Sequence, residues 1–279
     1  MSLWTEVAVV ARLDLAEVRR SRWLWCCLCV YAVLAAVFVL VGMRESAVLG
    51  FTGMARALMS FGHALLFLLP LLALSATGQV VNAARDDGAL ELLLSQPIRR
   101  TAWFLGTSLV RAAALVLPVC LVMPAMGLLG RLAFGQAVPW DFLLRTVATS
   151  AALLLCFTAV GLWVSSAVRH PAKALAAVIL IWAGSVALID LGLVGLMLQW
   201  HLPAPAVFAL AMLNPVQDAR LALLSGAQPE LSSFGPVGFF VANHVGAGGC
   251  LCLGIGWPLL LGATAWTFAL RGFRRRDLV

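Results

Sequence analysis

The sequence predicts an all-α, polytopic membrane protein. It reads as six transmembrane helices with an amphipathic helix ahead of them and a short charged helix on the cytoplasmic side. Three observations carry this reading. Charged residues make up 11% of the 279 and hydrophobic residues 63%, where a soluble domain carries about 25% charge. The apolar residues fall in uncharged runs of roughly 20 residues or more, the length at which a helix crosses bilayer hydrocarbon. The runs do not alternate in polarity as barrel strands would, and the bilayer admits only helices or closed barrels. The whole chain, residues 1–279, is read as one transmembrane domain.

The elements follow in order. Residues 3 to 18 place Trp4, Val7, Ala8, Ala11, Leu15 and Val18 on one helical face, with Arg12, Asp14 and Arg19 off it. That pattern suits a helix lying in the membrane interface, within residues 1–22. Glu6, Asp14 and Glu17 precede the first apolar run, which argues against a cleavable signal. The basic RRSRW anchors the start of the first span, near Trp23 to Gly42. The second span runs from about Ala57 to Asn82, with a kink expected at Pro70. The third lies near Trp103 to Gly130 and holds Pro118 and Pro124; the fourth runs from about Phe142 to Val168. RHPAK leads into the fifth, about Ala174 to Trp200. A less regular segment over 203–249 precedes the sixth span, near Cys250 to Leu270. Within it Asn214 is placed to cap a short helix that opens on Pro215 and ends at Gly226. Arginines crowd one set of loops: Arg19, Arg20 and Arg22, Arg85, Arg99 and Arg100, Arg169, and Arg271 to Arg276. The rule that positive residues stay inside then puts both termini in the cytoplasm.

Residues 85–100, RDDGALELLLSQPIRR, fall on that inner side. Asp86 and Asp87 are good N-cap residues, and their charge suits the positive end of a helix. Leu90, Leu92, Leu93 and Leu94 favour helix, and Pro97 stops it. The expectation is about two and a half turns of helix. Leu90 and Leu94 would form an exposed apolar ridge at i, i+4, with Glu91 beside it. Such a knob fits the groove of a cytoplasmic partner, against the plainer alternative of a loop resting on headgroups.

A short helix of the pattern acid-acid-Gly-Ala-Leu-Glu-x-Leu-Leu-Ser-x-Pro between the second and third of six spans resembles the type-2 ABC transporter permeases. The resemblance covers essentially the whole chain, including LNPVQDARLALLSG at 213–226 and the closing FRRRDL. It implies that residues 85–100 form the coupling helix that sits in an ATPase subunit, with Asp86, Asp87, Leu90, Glu91, Leu93 and Leu94 as the docking residues. It also implies a homodimer of permeases in a bacterial or archaeal inner membrane, with ATP and magnesium held by the partner chain. Within the family, FTG at Phe51, LELLLSQP at Leu90, LNPVQDARL at Leu213 and GPVG at Gly235 are similar to the permeases of nitrous oxide reductase maturation systems. The stretch before the short helix reads GQVVNAARDDG and not a strongly acidic run. The work implied is export or periplasmic maturation, such as copper- or sulfur-related assembly of nitrous oxide reductase, with a periplasmic accessory protein as a further partner. Alternatives are export of another solute or lipid, or mechanical action on a periplasmic partner with nothing crossing.

Missing motifs narrow the chemistry. The single lysine, Lys173, stands in RHPAK, so no Gly-rich Lys-Ser/Thr loop cradles phosphate, and HExxH and GxSxG are absent too. The chain is read as a non-catalytic subunit that binds no cofactor itself. The formal charge of +7 fits membrane flanks and not nucleic acid. Seven cysteines, all in or beside apolar runs, show no disulfide framework. Met54, Met59, His63, Met123, Met126 and the cysteines at 26–29 have soft-metal chemistry, but methionine in spans mostly fills gaps, and no metal site is assigned. Intramembrane charges are the remaining candidates. Arg111 is expected to snorkel to the inner headgroups. Arg145 and Asp190 lie at similar depth, which permits an ion pair; the alternative is that Asp190 lines a polar passage.

Overall fold

The computed structural model describes residues 2–21, 25–33, 53–134, 140–188, 203–227 and 235–275, with isolated positions between. Among them every regular element is helical. The expected first span is described only over helical residues 25–33 and at position 36; its remainder lies outside the described residues. Helix α1 covers Leu3–Arg20, and the Ser2 hydroxyl accepts from the Thr5 N–H at 3.3 Å to cap it. The second span is α2 (Gly53–Thr77) followed by α3 (Val80–Asp86). The short segment contributes α4 (Ala89–Leu94), and the third span is α5 (Arg100–Phe134). Next come α6 (Trp140–Ala167) and α7 (Pro171–Ala183), which runs into a π-helical turn at Gly184–Leu188. The segment before the last span folds as α8 (Ala204–Ala211), α9 (Pro215–Ala227) and α10 (Gly235–His244). The last helix is α11 (Gly246–Arg275).

Five of these stretches are long and apolar enough to cross a bilayer: Gly62–Asp86, Arg100–Leu129, Trp140–Ala167, Pro171–Leu188 and Gly246–Arg275. They are the expected second to sixth spans. Between the last two, Pro205–Ala211 and Pro215–Gly226 meet at a 115° bend. The chain is an all-α multi-pass membrane protein.

Helix α6 is the hub, packing on α2, α5, α9 and α11. Its inward stripe is unusually polar, with Thr146, Thr149, Ser150, Thr158, Ser165 and Ser166 all buried. Several of these hydroxyls donate back to their own helix: Thr146 to the Phe142 carbonyl at 2.8 Å, Thr149 to that of Arg145 at 2.7 Å, and Ser166 to that of Trp163 at 2.9 Å. Such back-bonding satisfies a hydroxyl in apolar surroundings without a second helix. Helices then approach where a side chain is missing. A Cβ on Gly262 of α11 would stand 2.9 Å from the Cys156 Cα of α6.

The second span stays helical through Pro70, where a kink was expected, and its interruption lies at Gly78–Gln79. A break frees backbone N–H groups, which cannot be left unpaired in an apolar interior. The Val81 N–H donates to the Ser165 hydroxyl of α6 at 2.9 Å. The bend nests because Gly161 of α6 has no Cβ to strike the Thr77 hydroxyl.

Candidate coupling site

The turn ahead of the short helix is built differently from the expectation. Asp86 is the last residue of α3 and Asp87 its C-cap; neither is an N-cap. The Asp87 N–H donates to the Ala83 carbonyl at 2.9 Å, and the Gly88 N–H to that of Arg85 at 3.1 Å. Gly88 then takes φ +68°, a left-handed conformation glycine adopts without steric cost, and α4 starts from it. The two carboxylates still stand just before the positive end of α4. Arg85 offsets their unfavourable place at the end of α3. Helix α4 is six residues long, shorter than expected, and the Ser95 hydroxyl closes it on the Leu92 carbonyl at 2.8 Å.

Leu90 and Leu94 do not form an exposed ridge. Leu90 is 1% exposed, in a cluster with Val10 of α1, Val80 and Val81 of α3, Trp103 and Phe104 of α5, Leu162 of α6, and Ala269 and Phe273 of α11. Leu93 and Leu94 pack partly against the same cluster. The aromatic members interlock: Trp103 stacks on Phe273 at 5.1 Å between ring centres, and Phe104 lies 5.5 Å from Phe273 and 5.9 Å from Trp266. What α4 leaves exposed is Ala89, Glu91 and Leu92, with its C-cap Ser95, and Leu92 is 71% exposed. The helix is bolted by one leucine to four larger helices and presents another to water.

Helix α1 braces this region with a face that apolar counting did not show. Its buried residues are Glu6, Val7, Val10, Asp14 and Val18, while Trp4 and Leu15, expected on that face, are 72% and 47% exposed. The stripe carries two carboxylates because α5 opposes it with cations. Glu6, 4% exposed, accepts from the Arg99 N–H at 3.1 Å, capping the start of α5, and its other oxygen lies 3.8 Å from the Arg99 guanidinium. A carboxylate there satisfies an unpaired N–H and the helix dipole together. Arg111 does not simply snorkel: it bonds Asp14 and Glu17, each at 3.4 Å. Burial pushes the Asp14 carboxyl above the usual carboxylate range, against the pull of Arg111. The helices touch most closely at Gly106, where a Cβ would lie 2.8 Å from Val10 and 3.2 Å from the Ala11 backbone nitrogen.

At the 115° bend, Asn214 does two jobs. Its Oδ1 accepts from the Val216 N–H at 3.1 Å, the cap expected from the sequence, and its Nδ2 donates to the Ser185 carbonyl in the π turn at 2.6 Å. The second bond ties α9 to the fifth span and was not legible beforehand. Asp190 lies outside the described residues, and with it any ion pair with Arg145. Arg145 itself runs over α9, with its Cδ 2.7 Å from where a Gly226 Cβ would be. Sequence reasoning also passed over Asp218, which is 1% exposed in α9. Met123, Met126 and Cys27 sit in the main apolar core, as gap-filling residues do.

The chain matches the ABC-2 family transporter protein family over residues 8–276. It is 30% identical over 230 residues to the probable ABC transporter permease protein NosY of Pseudomonas aeruginosa, covering 80% of this chain and 82% of that one. It is 29% identical over 276 residues to the probable ABC transporter permease protein NosY of Stutzerimonas stutzeri, covering 96% and 97%. A match that spans almost every helix described above, together with five bilayer-length spans, decides the assignment: the chain belongs to the ABC-2 family and is a multi-pass ABC transporter permease subunit.

Proposed function

We propose that α4 is the point at which a separate ABC ATPase seizes this permease, and that the permease works as a homodimer. The observation that supports the reading is the two-sidedness of α4: Leu90 is fixed in a cluster shared by α1, α5, α6 and α11, while Glu91 and Leu92 stand free. A groove closing on the free face would move the cluster, and the cluster would move the spans. Asp86 and Asp87 flank the same turn and complete the docking set with Leu93 and Leu94 at its edge. On this reading the chain is non-catalytic, and ATP and magnesium belong to the partner. The arginine distribution supports a bacterial or archaeal inner membrane with both termini cytoplasmic, which makes the bent α8–α9 pair the periplasmic-side element.

The likeness to two permeases named NosY, together with the motifs that resemble those of nitrous oxide reductase maturation systems, supports the narrower reading that the complex serves periplasmic maturation of that enzyme. The test has two stages. Tagged permease extracted in mild detergent is expected to bring down one ATPase subunit per permease. Deletion of the permease is expected to leave nitrous oxide reductase expressed but without its copper-centre absorbance. A strain that still matures the enzyme returns the complex to general export. A permease recovered alone and active overturns the docking reading.

A further inference from the structure

A cavity of about 620 Å³ lies between α1, the end of α2, α3, α4 and the first turns of α5. That volume is in the range of small-ligand sites. Its polar lining is lopsided: Asp14, Glu17 and Asp87 face a single cation, Arg111. Two buried polar atoms there have no partner, Asp14 Oδ2 and Arg111 Nε. Asp14 is 8% exposed and Arg111 has 15% of its side chain exposed, so water does little for either. An unpaired buried carboxylate oxygen is expensive, and burial outweighs the pull of Arg111 in setting the Asp14 carboxyl above its usual range. The remaining walls are mostly apolar, Val10, Leu13, Val80 and Trp103 among them, with Ser75, Gln79 and Thr107 set between.

The cavity's level follows from the helices that form it. One candidate span ends at Asp86 and the next begins at Arg100, and α1 packs along that next helix, α5. The pocket therefore opens at headgroup depth, beside an interfacial tryptophan. We infer that this cavity binds the headgroup of a zwitterionic aminophospholipid, its primary ammonium on Asp14 with Glu17 and Asp87 near, and its phosphate toward Arg111. The surplus of carboxylate disfavours anionic headgroups. A quaternary ammonium has no N–H to give Asp14 Oδ2. Asp87 and Leu93 line the cavity and also belong to the docking set, so the site is tested on the permease without its ATPase.

The test uses the full-length permease in nanodiscs of phosphatidylglycerol doped equally with phosphatidylethanolamine and phosphatidylcholine, with retained lipid read by native mass spectrometry. Phosphatidylethanolamine is expected to be retained about tenfold or more over phosphatidylcholine, the discrimination one hydrogen bond to a charged group supplies. Asp14→Asn is expected to bring the ratio near one. Glu17→Gln with Asp87→Asn, at more exposed positions that folding tolerates, is expected to lower it as well. Equal retention of the two lipids by wild type overturns the proposal, as does undiminished preference in both variants. Soluble phosphoethanolamine is the control for source: if it binds as well as the lipid and displaces it at micromolar concentration, the site is for a free amine and the lipid assignment falls. Loss of bound phosphatidylethanolamine when the ATPase is added would show that a basic side chain of the partner fills the cavity, which also overturns it.

Discussion

The two leucines of α4 make opposite predictions when each is changed alone. Leu92 is 71% exposed. Burying a whole leucine is worth about 1.5–3 kcal/mol, so a groove that covers the free part gains about 1–2 kcal/mol from it. Replacing it by Asp forfeits that gain and strands a carboxylate in an apolar groove, which brings the loss to about 2 kcal/mol or more. Leu92→Asp is thus expected to weaken ATPase binding roughly 30-fold while the permease unfolds at the wild-type temperature, because Leu92 is mostly exposed in the permease alone. Leu90, at 1% exposure, behaves in the other sense. Leu90→Ala opens a hole among Trp103, Phe104 and Phe273 and costs the permease about 2–5 kcal/mol of local stability. It lowers the unfolding temperature even without a partner. Leu94 is a poorer probe, since it packs partly on the cluster and an Asp there would disturb both functions. The assay is ATPase titration onto detergent-solubilised permease, beside thermal unfolding of the permease alone. Unchanged binding with Leu92→Asp refutes docking through this face, and an unchanged unfolding temperature with Leu90→Ala refutes the anchor.

Three further expectations concern the braces. Gly106→Val drives a side chain into Val10 and the Ala11 backbone, so α1 should peel from α5 at a cost of about 1–3 kcal/mol; faster proteolysis at residues 1–22 is the readout. Asn214→Ser keeps a capping oxygen but loses the bond to the Ser185 carbonyl, and should cost about 1–2 kcal/mol, with Asn214→Ala lower still in unfolding temperature. The Asp14 carboxyl is raised in the folded state, so between about pH 3.9 and its folded pKa the native protein holds a proton the unfolded chain has lost. Stability from this group therefore increases on acidification through that window and is lost as pH rises through the folded pKa. Asp14→Asn should remove that slope from the difference between the two unfolding curves.

The spans were legible because hydrocarbon thickness imposes a length that no local preference overrides, and both ends of α5 and α6 and the start of α7 fell within a few residues of expectation. The turn into α4 was misread for a local reason. Asp-Asp-Gly serves equally as the start of one helix or the end of another, and the second span was taken to end at Asn82 when it continues to Asp86. The signal that decides it was present: glycine after the last helical residue is the usual C-terminal stop. The buried face of α1 was misread for a non-local reason. Glu6 and Asp14 look like the polar side until Arg99, just before α5, and Arg111 within it are placed opposite. Asn214 shows both limits in one residue. Its cap follows from Asn-Pro, while its bond to the Ser185 carbonyl joins two elements 29 residues apart, which composition does not announce.

The last expectation concerns how a push on α4 reaches the far end of the bundle. Phe273, in the Leu90 cluster, and Gly254 lie on the same helix, α11, about 28 Å apart at 1.5 Å per residue. At Gly254 that helix meets α9 with no side chain between them: a Cβ there would stand 2.7 Å from the Asp218 carbonyl and closer still to the Ala222 methyl. Contact this tight leaves no slack, so movement of α11 is passed to α9, and through Asn214 to the fifth span. Gly254→Ala wedges the two helices apart by a few tenths of an ångström or more, at a cost of about 1–3 kcal/mol. It changes nothing within reach of Leu92. ATPase binding should therefore stay at the wild-type level while the ATP-dependent output of the reconstituted complex falls. The measurement is binding and output on the same preparation, at a temperature where both permeases are folded. If output survives, the α11–α9 contact is not the route; if binding falls with it, the wedge has disturbed the whole bundle and the separation of docking from transmission fails.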